Sequence, residues 1–471
     1  MKKITLILSA LFAVSASVYS NTLSAVNSFE SGLYPRGIAI ADTNGDAKNE
    51  ILVANFGEDT LIGQGSDVTP TSSIAVFYNG IKSVIAAGKT PRGVAAGDLN
   101  ADGKADFAVT NYEDGTVMIF EGNDTQTVEV GKYPVGAAIG SIDNEGIKKE
   151  DIAVAVYADS KVSVIIRDSK GALEKIDIAV PGNPTDVTIG TLNNERVILS
   201  ANYNSPTISI IKKQGGVISK TADLPAGAGV CKVEIADVTG DGSQDIIAAN
   251  FHDNTISVTE FKNGAAMEPV IYKLNGLRPN GLAAGDINGD GLIDVVAANR
   301  DSDSIDILTQ KNGRLELTQS ITVTEDENKT YGPVEVAIGD VNADGLADIA
   351  FTHMRTGTLK VIYQEAEKKE EPADIPEMNK NTVYNYPNPA KTQTTFRFPL
   401  REKQEVKIAV LDIKGNLVWS KTIPESESAA GINYITWNLV NDIGQSVSNG
   451  AYILKVITKD KVISKNIAIV K

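Results

Sequence analysis

Three stretches of this 471-residue chain repeat one acidic pattern: Asp98-Leu-Asn-Ala-Asp-Gly-Lys-Ala-Asp106, Asp286-Ile-Asn-Gly-Asp-Gly-Leu-Ile-Asp294 and Asp340-Val-Asn-Ala-Asp-Gly-Leu-Ala-Asp348. Side-chain oxygens fall at positions 1, 3, 5 and 9 of each copy. They come from Asp98, Asn100, Asp102 and Asp106, from Asp286, Asn288, Asp290 and Asp294, and from Asp340, Asn342, Asp344 and Asp348. Glycine at position 6 permits a tight turn, and position 7 offers a backbone carbonyl. Hard oxygen donors at this spacing suit Ca2+, and carboxylates this close repel one another without a cation among them. The alternative is an Asp/Asn turn held by its own side-chain to backbone hydrogen bonds. The pattern is not an EF-hand, which runs on to a Glu at position 12 between helices.

Two further copies are weaker. Asp237, Thr239, Asp241 and Asp245 have a poorer second donor, and Asp42, Asn44, Asp46 and Glu50 carry Ala47 where the others have glycine. Two more have decayed: Asp143, Glu145 and Asp151 surround an insertion, and Thr191-Leu-Asn-Asn-Glu-Arg196 has lost its acids. Three to five Ca2+ sites are therefore expected, serving to rigidify loops, with extracellular-type affinities on the order of 10⁻⁴ to 10⁻³ M.

A second set of residues repeats in step with the first. After the strand that follows each acidic loop come Phe56, Tyr112, Tyr157, Tyr203 and Phe251, then Arg300 and His353-Met354. One strand separates them from the acidic loops, so they gather at the opposite end. A ring of aromatics there has the chemistry to grip a sugar or a peptide; equally, each ring could plug the gap between neighbouring repeats. Arg300, His353 and Arg355 break the pattern and mark that side for specificity. Residues 57–71 form the longest loop on the same face, beside Phe56, where binding loops often sit.

The elements that must position these residues follow from the period. The acidic loops begin at Asp42, Asp98, Ser141, Thr191, Asp237, Asp286 and Asp340, 43 to 56 residues apart. Several short strands per unit of this length read as an all-β propeller of seven blades. In the second unit strands are predicted over 93–97, 107–111, 116–120 and 127–130. The first strands are rich in Gly and Ala, as in Gly281-Leu-Ala-Ala-Gly285, because innermost strands crowd around the axis. The seventh unit has three strands, over 335–338, 349–352 and 358–363. Residues 23–29 are predicted to supply its fourth, closing the ring and removing a sheet edge. The mixed-charge stretch at 365–379 reads as a linker. Beyond it, over 380–471, short alternating strands at 394–398, 406–411, 432–438, 451–457 and 464–469 predict a β-sandwich, which holds both tryptophans, Trp419 and Trp437.

Composition narrows the function. The formal net charge is −16, which makes nucleic acid and anionic lipid poor partners. Residues 1–20 have a basic start, an apolar run and small residues before a cut, the pattern of an export signal. No other run is long and apolar enough for a membrane helix. The single cysteine, Cys231, forms no internal disulfide and reads as a buried strand residue. The two histidines, His252 and His353, lie in non-adjacent units, and there is no Gly-x-Ser-x-Gly elbow and no zinc-type His/Cys cluster, which argues against an enzyme. Glycosidase or lyase chemistry from unpatterned carboxylates is the rival reading.

Residues 93–106 with Thr110-Asn111, and 284–291 with Ala298-Asn299, resemble the FG-GAP/VCBS repeats of seven-bladed propellers like that of the integrin alpha subunit, over about residues 24–364. The resemblance implies Ca2+ in the acidic loops on a lower face and partners on the upper one, with adhesive or scaffolding roles commoner than catalysis. Tyr386-Pro-Asn-Pro389, Val410-Leu-Asp-Ile-Lys-Gly415, Trp437 and the run from Asp442 to Tyr452 resemble FlgD-type immunoglobulin-like modules and C-terminal sorting domains of secreted bacterial proteins. There Trp437, Gly444, Gly450 and Tyr452 read as fold residues. The expectation is a Ca2+-stabilised extracellular or cell-surface protein that binds a protein or glycan. Its last domain would engage secretion machinery or the cell envelope. The alternative is a carbohydrate-active enzyme, a polysaccharide lyase or glycoside hydrolase, on the same scaffold.

Overall fold

The computed structural model describes residues 22–57, 72–142, 150–167, 172–262, 264–323, 332–365 and 377–471. The predicted export signal, most of the 57–71 loop, Asp143, Glu145 and most of the linker lie outside these residues. The chain divides into two compact units, residues 1–367 and 368–471.

Among the described residues, the first unit holds seven four-stranded antiparallel sheets. Their innermost strands are Pro35–Ala41, Pro91–Gly97, Pro134–Gly140, Pro184–Leu192, Val230–Ala236, Pro279–Gly285 and Pro333–Gly339. Each lies against the next, and the seventh lies against the first. The cores obey the same cycle. One apolar cluster sits between each successive pair of sheets, and the last joins Ala350, Leu359 and Val361 of the seventh sheet to Ile51, Val53 and Phe77 of the first. Second strands such as Asp106–Asn111, Asp245–Asn250 and Asp294–Asn299 are buried along their whole length. They are covered on both faces, which is why they read as unbroken apolar runs rather than alternating ones. The inner strands are thin for a geometric reason: a Cβ on Gly93 would come within 2.3 Å of the Val135 carbonyl oxygen of the neighbouring inner strand.

The seventh sheet takes its outer strand from the other end of the chain. Asn27–Glu30 pairs antiparallel with Thr358–Ile362, and Thr22–Leu23 pairs with Gln364–Glu365. This closure stitches the two ends of the unit together and covers an edge that would otherwise be open. The strand is shorter than the predicted 23–29, because Ser24 to Val26 leave the ladder. In the second sheet the outer strand is Asp124–Glu129, placed earlier than predicted by the tight turn at Gly122, whose φ is +56°.

The second unit packs a three-stranded sheet of Tyr384–Tyr386, Thr394–Leu400 and Gly431–Trp437 with a four-stranded one of Leu417–Ile423, Val406–Asp412, Gly450–Ile457 and Val462–Ile469. They share one core that includes Phe396, Phe398, Trp437, Leu454 and Val456. Trp437 donates its indole N–H to the Val440 carbonyl at 2.7 Å, and the Tyr452 hydroxyl donates to Ser448 at 2.9 Å, so both polar tips are satisfied in the core. The strand Leu417–Ile423 escaped the sequence reading because its outer positions are polar; Trp419 lies on it and reaches the core.

Candidate functional site

The five described acidic loops fold alike. The first Asp of each accepts a hydrogen bond on Oδ2 from the backbone N–H of position 6, at 2.7 to 3.0 Å, at Ala47, Gly103, Gly242, Gly291 and Gly345. The Asp at position 5 accepts from position 7 at 2.8 to 3.0 Å. Position 6 has φ between +64° and +87° in all five, a region that glycine adopts without strain and Ala47 does not. Most of the loop oxygens thus accept backbone N–H bonds within the turn, as in a self-held Asp/Asn turn; the residue types are still the oxygen donors that suit Ca2+. At position 9 burial pushes the carboxyls of Asp106, Asp245, Asp294 and Asp348 up to about 6, with neighbouring acids of the loops adding to the rise. A cation would relieve that penalty. In the first loop Glu50 is already satisfied by Thr43 and Asn44 at 2.7 to 2.8 Å. Among the described residues no three His, Cys, Asp or Glu side chains are gathered as a ready-made metal cluster.

The loops also tie neighbouring sheets together. Ala105 N–H donates to Asp42 O at 2.9 Å, Glu150 N–H to Asp98 O at 3.3 Å, and Asn49 Nδ2 to Asp340 O at 2.9 Å. In the fourth sheet a two-residue turn at Asn193 and Asn194, with φ of +50° and +63°, replaces the acidic loop. Arg196 takes over its clasp, donating to Ser141 O at 2.6 Å and to Thr191 Oγ1 at 3.1 Å. A fixed cation thus stands where other sheets carry acids.

At the opposite end of the inner strands opens a cavity of about 320 Å³. Tyr112, Tyr157, Tyr203, Phe251 and Arg300 reach it from the ends of second strands, and Arg36, Arg92, Asp186, Lys232 and Glu335 from the inner strands. Two neighbouring pairs of these rings are in contact: Phe56 and Tyr112 have centroids 5.8 Å apart, Tyr203 and Phe251 6.0 Å. Arginines lie over their faces. Arg36 is 4.9 Å from the Phe56 centroid, Arg92 5.0 Å from Tyr112, and Arg300 4.7 Å from Phe251. Such stacking holds a guanidinium in place while leaving its N–H fork for other groups.

Deeper in the wall, Lys232 Nζ lies 3.1 Å from Asp186 Oδ1 and 3.4 Å from Glu335 Oε1. Asp186 also accepts from the Val233 N–H at 3.1 Å. Burial opposes the charge on Lys232, but the carboxylates of Asp186 and Glu335 outweigh it and raise its pKa. Burial pushes Glu335 up to about 7 and Glu234 up to about 8, since one ammonium serves several carboxyls. Cys231 donates its thiol to Pro279 O at 3.2 Å, and burial raises its pKa, which makes it an inert wall residue.

The mouth therefore unites Tyr112, Tyr157, Tyr203, Phe251 and Arg300 of the residues singled out from sequence, with Phe56 beside them under Arg36. His353 and Arg355 do not join them. His353 is 3% exposed; its Nε2 lies 3.6 Å from Asp303 Oδ1 and its Nδ1 2.9 Å from Thr356 Oγ1. It is a packed core group, because it lies opposite Pro333 in the register place that the buried Asn55, Asn111 and Asn299 hold in other sheets, one residue before the aromatic position. Arg355 lies one turn further out, exposed. Sequence reasoning missed Arg36, Arg92, Asp186, Lys232, Glu234 and Glu335. For three of them a signal was present: inner strands open with Pro-x-Gly at Gly37, Gly93, Gly136 and Gly281, and charged residues replace that glycine at Asp186, Lys232 and Glu335.

Comparison with known proteins agrees with this architecture. Residues 237–297 and 286–351 match the FG-GAP-like repeat family, and residues 90–128 match the FG-GAP repeat. Residues 384–470 match the secretion system C-terminal sorting domain, which marks the chain for type IX export to the cell surface or extracellular space. No curated protein matches the chain. Among solved structures, BBS1N from its complex with ARL6DN is similar at 11% identity and a TM-score of 0.52, over 74% of this chain and 98% of that one. Kuenenia stuttgartiensis hydrazine synthase is similar at 14% identity and a TM-score of 0.50, over 71% of this chain and 97% of that one. At such identities the likeness is one of fold. No described helix is long and apolar enough to cross a membrane.

Proposed function

From a chain that joins FG-GAP repeats to a secretion-system sorting domain, we propose a non-catalytic surface or secreted binding protein. Its ligand, an extracellular protein or glycan, enters the mouth of the central channel. The observation that carries this reading is the mouth itself, where Tyr112, Tyr157, Tyr203 and Phe251 meet stacked arginines around one cavity. Rigid aromatic faces with polar edges are the usual anchors of recognition surfaces. The acidic loops at the other end hold Ca2+ and stiffen the ring; they are not the ligand site. The sorting domain engages the export machinery.

The test is an array of glycans and surface proteins probed with the whole chain and with a Tyr157→Ala/Tyr203→Ala double variant. Binding that the double variant loses supports the proposal; ligands that both chains bind equally overturn it. One observation favours a second reading, that of a glycoside hydrolase. Asp186 and Glu335 are two carboxyls in one cavity, and such pairs perform acid and base steps at glycosidic bonds. Both are held to the same ammonium, which favours a fixed ion cluster. Turnover of an array-positive glycan, abolished in Glu335→Gln, would establish the enzyme instead.

A further inference from the structure

We propose that the channel mouth recognises a sugar carboxylate, with Arg92 as the group that receives it. This rests on the binding reading above and names its ligand class. Arg92 occupies the second position of its inner strand and lines the cavity. Its guanidinium carbon lies 5.0 Å from the Tyr112 ring centroid. The carboxylate that acts on it electrostatically, Glu335, lies on Lys232 instead, and no described Asp or Glu forms an ion pair with Arg92. Burial pulls its pKa down. Arg92 is half-buried, and a guanidinium at a cavity wall without a counter-charge has its N–H fork open to a ligand. The complement it lacks is an anion with two oxygens, which a guanidinium fork binds through parallel hydrogen bonds.

The surroundings select the carrier of that carboxylate. Next along the ring, Tyr157 and Tyr203 also line the cavity, and such rings suit the C–H side of a sugar. Thr185 and Asn280 line the same cavity from two other inner strands; they donate to Cys231 O and Val334 O at 3.0 Å, and their side-chain oxygens can accept from hydroxyls. The cavity is at the small end of ligand pockets, which start at roughly 300 Å³. That suits the end of a glycan chain better than a folded protein surface. A uronate unit meets all three conditions: one carboxylate, one apolar face and several hydroxyls. In a chain of net charge −16, a cationic mouth is a local exception, and it gives an acidic glycan one place to dock.

The experiment titrates the full chain by calorimetry with trimers of galacturonate, guluronate and glucuronate, with the methyl ester of each, and with triglutamate. At least one uronate trimer should bind, at least tenfold tighter than its ester and tighter than triglutamate. Arg92→Gln should weaken that binding at least tenfold while melting at the same temperature as the parent or higher, because it breaks no described ion pair. Four results would overturn the proposal: no uronate binding, equal binding of acid and ester, tighter binding of triglutamate, or a lower melting temperature for Arg92→Gln. If uronates fail but another ligand binds in a Tyr203-dependent manner, this inference falls and the mouth remains the site. If nothing binds in a Tyr203-dependent manner, both fall.

Discussion

Replacing Glu234 with Gln should stabilise the propeller, and more so as the pH rises. Glu234 lies on the inner strand Val230–Ala236, two residues after Lys232 and so on the same side of the strand. Burial raises its pKa from 4.5 to about 8; Lys232 draws it down, while Asp186 and Glu335 push it up. Between those pH values the folded chain holds a proton that the unfolded chain releases. Stability is therefore greatest at low pH and is lost as the pH climbs toward 8. At about 1.4 kcal/mol per pH unit, the loss from pH 5 to pH 8 is on the order of 3 kcal/mol. Lys232 stays charged throughout this window, since its pKa is raised, and adds no slope. Glu335, pushed up to about 7, adds slope of the same sign and persists in the variant. Urea unfolding at pH 5, 6, 7 and 8 reads the effect by circular dichroism. Trp419 and Trp437 both lie in the second unit, so fluorescence follows that unit and serves as an internal control. The variant should gain about 1 kcal/mol at pH 5 and about 3 to 4 at pH 8. A difference between variant and parent that does not change with pH would refute the reasoning.

Other perturbations address separate parts of the ring. Millimolar Ca2+ should raise the propeller's melting temperature and EDTA should lower it, by about 1.4 kcal/mol per site at tenfold the Kd; melting that ignores both would remove Ca2+ from the account. Ala47→Gly should stabilise by about 0.5 to 1 kcal/mol in urea titrations, because φ is +64° there and the Cβ is the source of strain; a loss of stability would contradict it. Deleting residues 22–30 should expose Thr358–Ile362 as a bare edge, lowering the melting temperature and promoting aggregation by light scattering; an unchanged melt would show that the closing strand carries no stability.

The repeat made the ring and its closing strand legible, because one pattern recurring at near-constant spacing implies one structural unit. The acidic turns were legible for the same reason, down to Ala47 as the odd residue in the turn. The channel wall was not. Arg36 and Arg92 look like ordinary residues beside Pro35 and Pro91, and only the approach of seven inner strands brings them into one cavity with Lys232, 196 and 140 residues further along. His353 misled because the residue in register with the aromatics is Met354; His353 holds the place of the buried Asn55, Asn111, Asn202, Asn250 and Asn299. Leu417–Ile423 was missed because its alternation is faint: Val418, Trp419 and Ile423 reach the core, with polar Ser420, Lys421 and Thr422 between them.

The central claim is that the mouth, and not the acidic loops, is the ligand site. The most direct test is hydrogen exchange of the whole chain with and without an array-positive ligand. The account predicts protection confined to the ends of second strands around Tyr112, Tyr157, Tyr203 and Phe251 and to the inner strand at Arg92. Protection centred on Asp98–Asp106, Asp286–Asp294 or Asp340–Asp348, with the mouth unchanged, would contradict it.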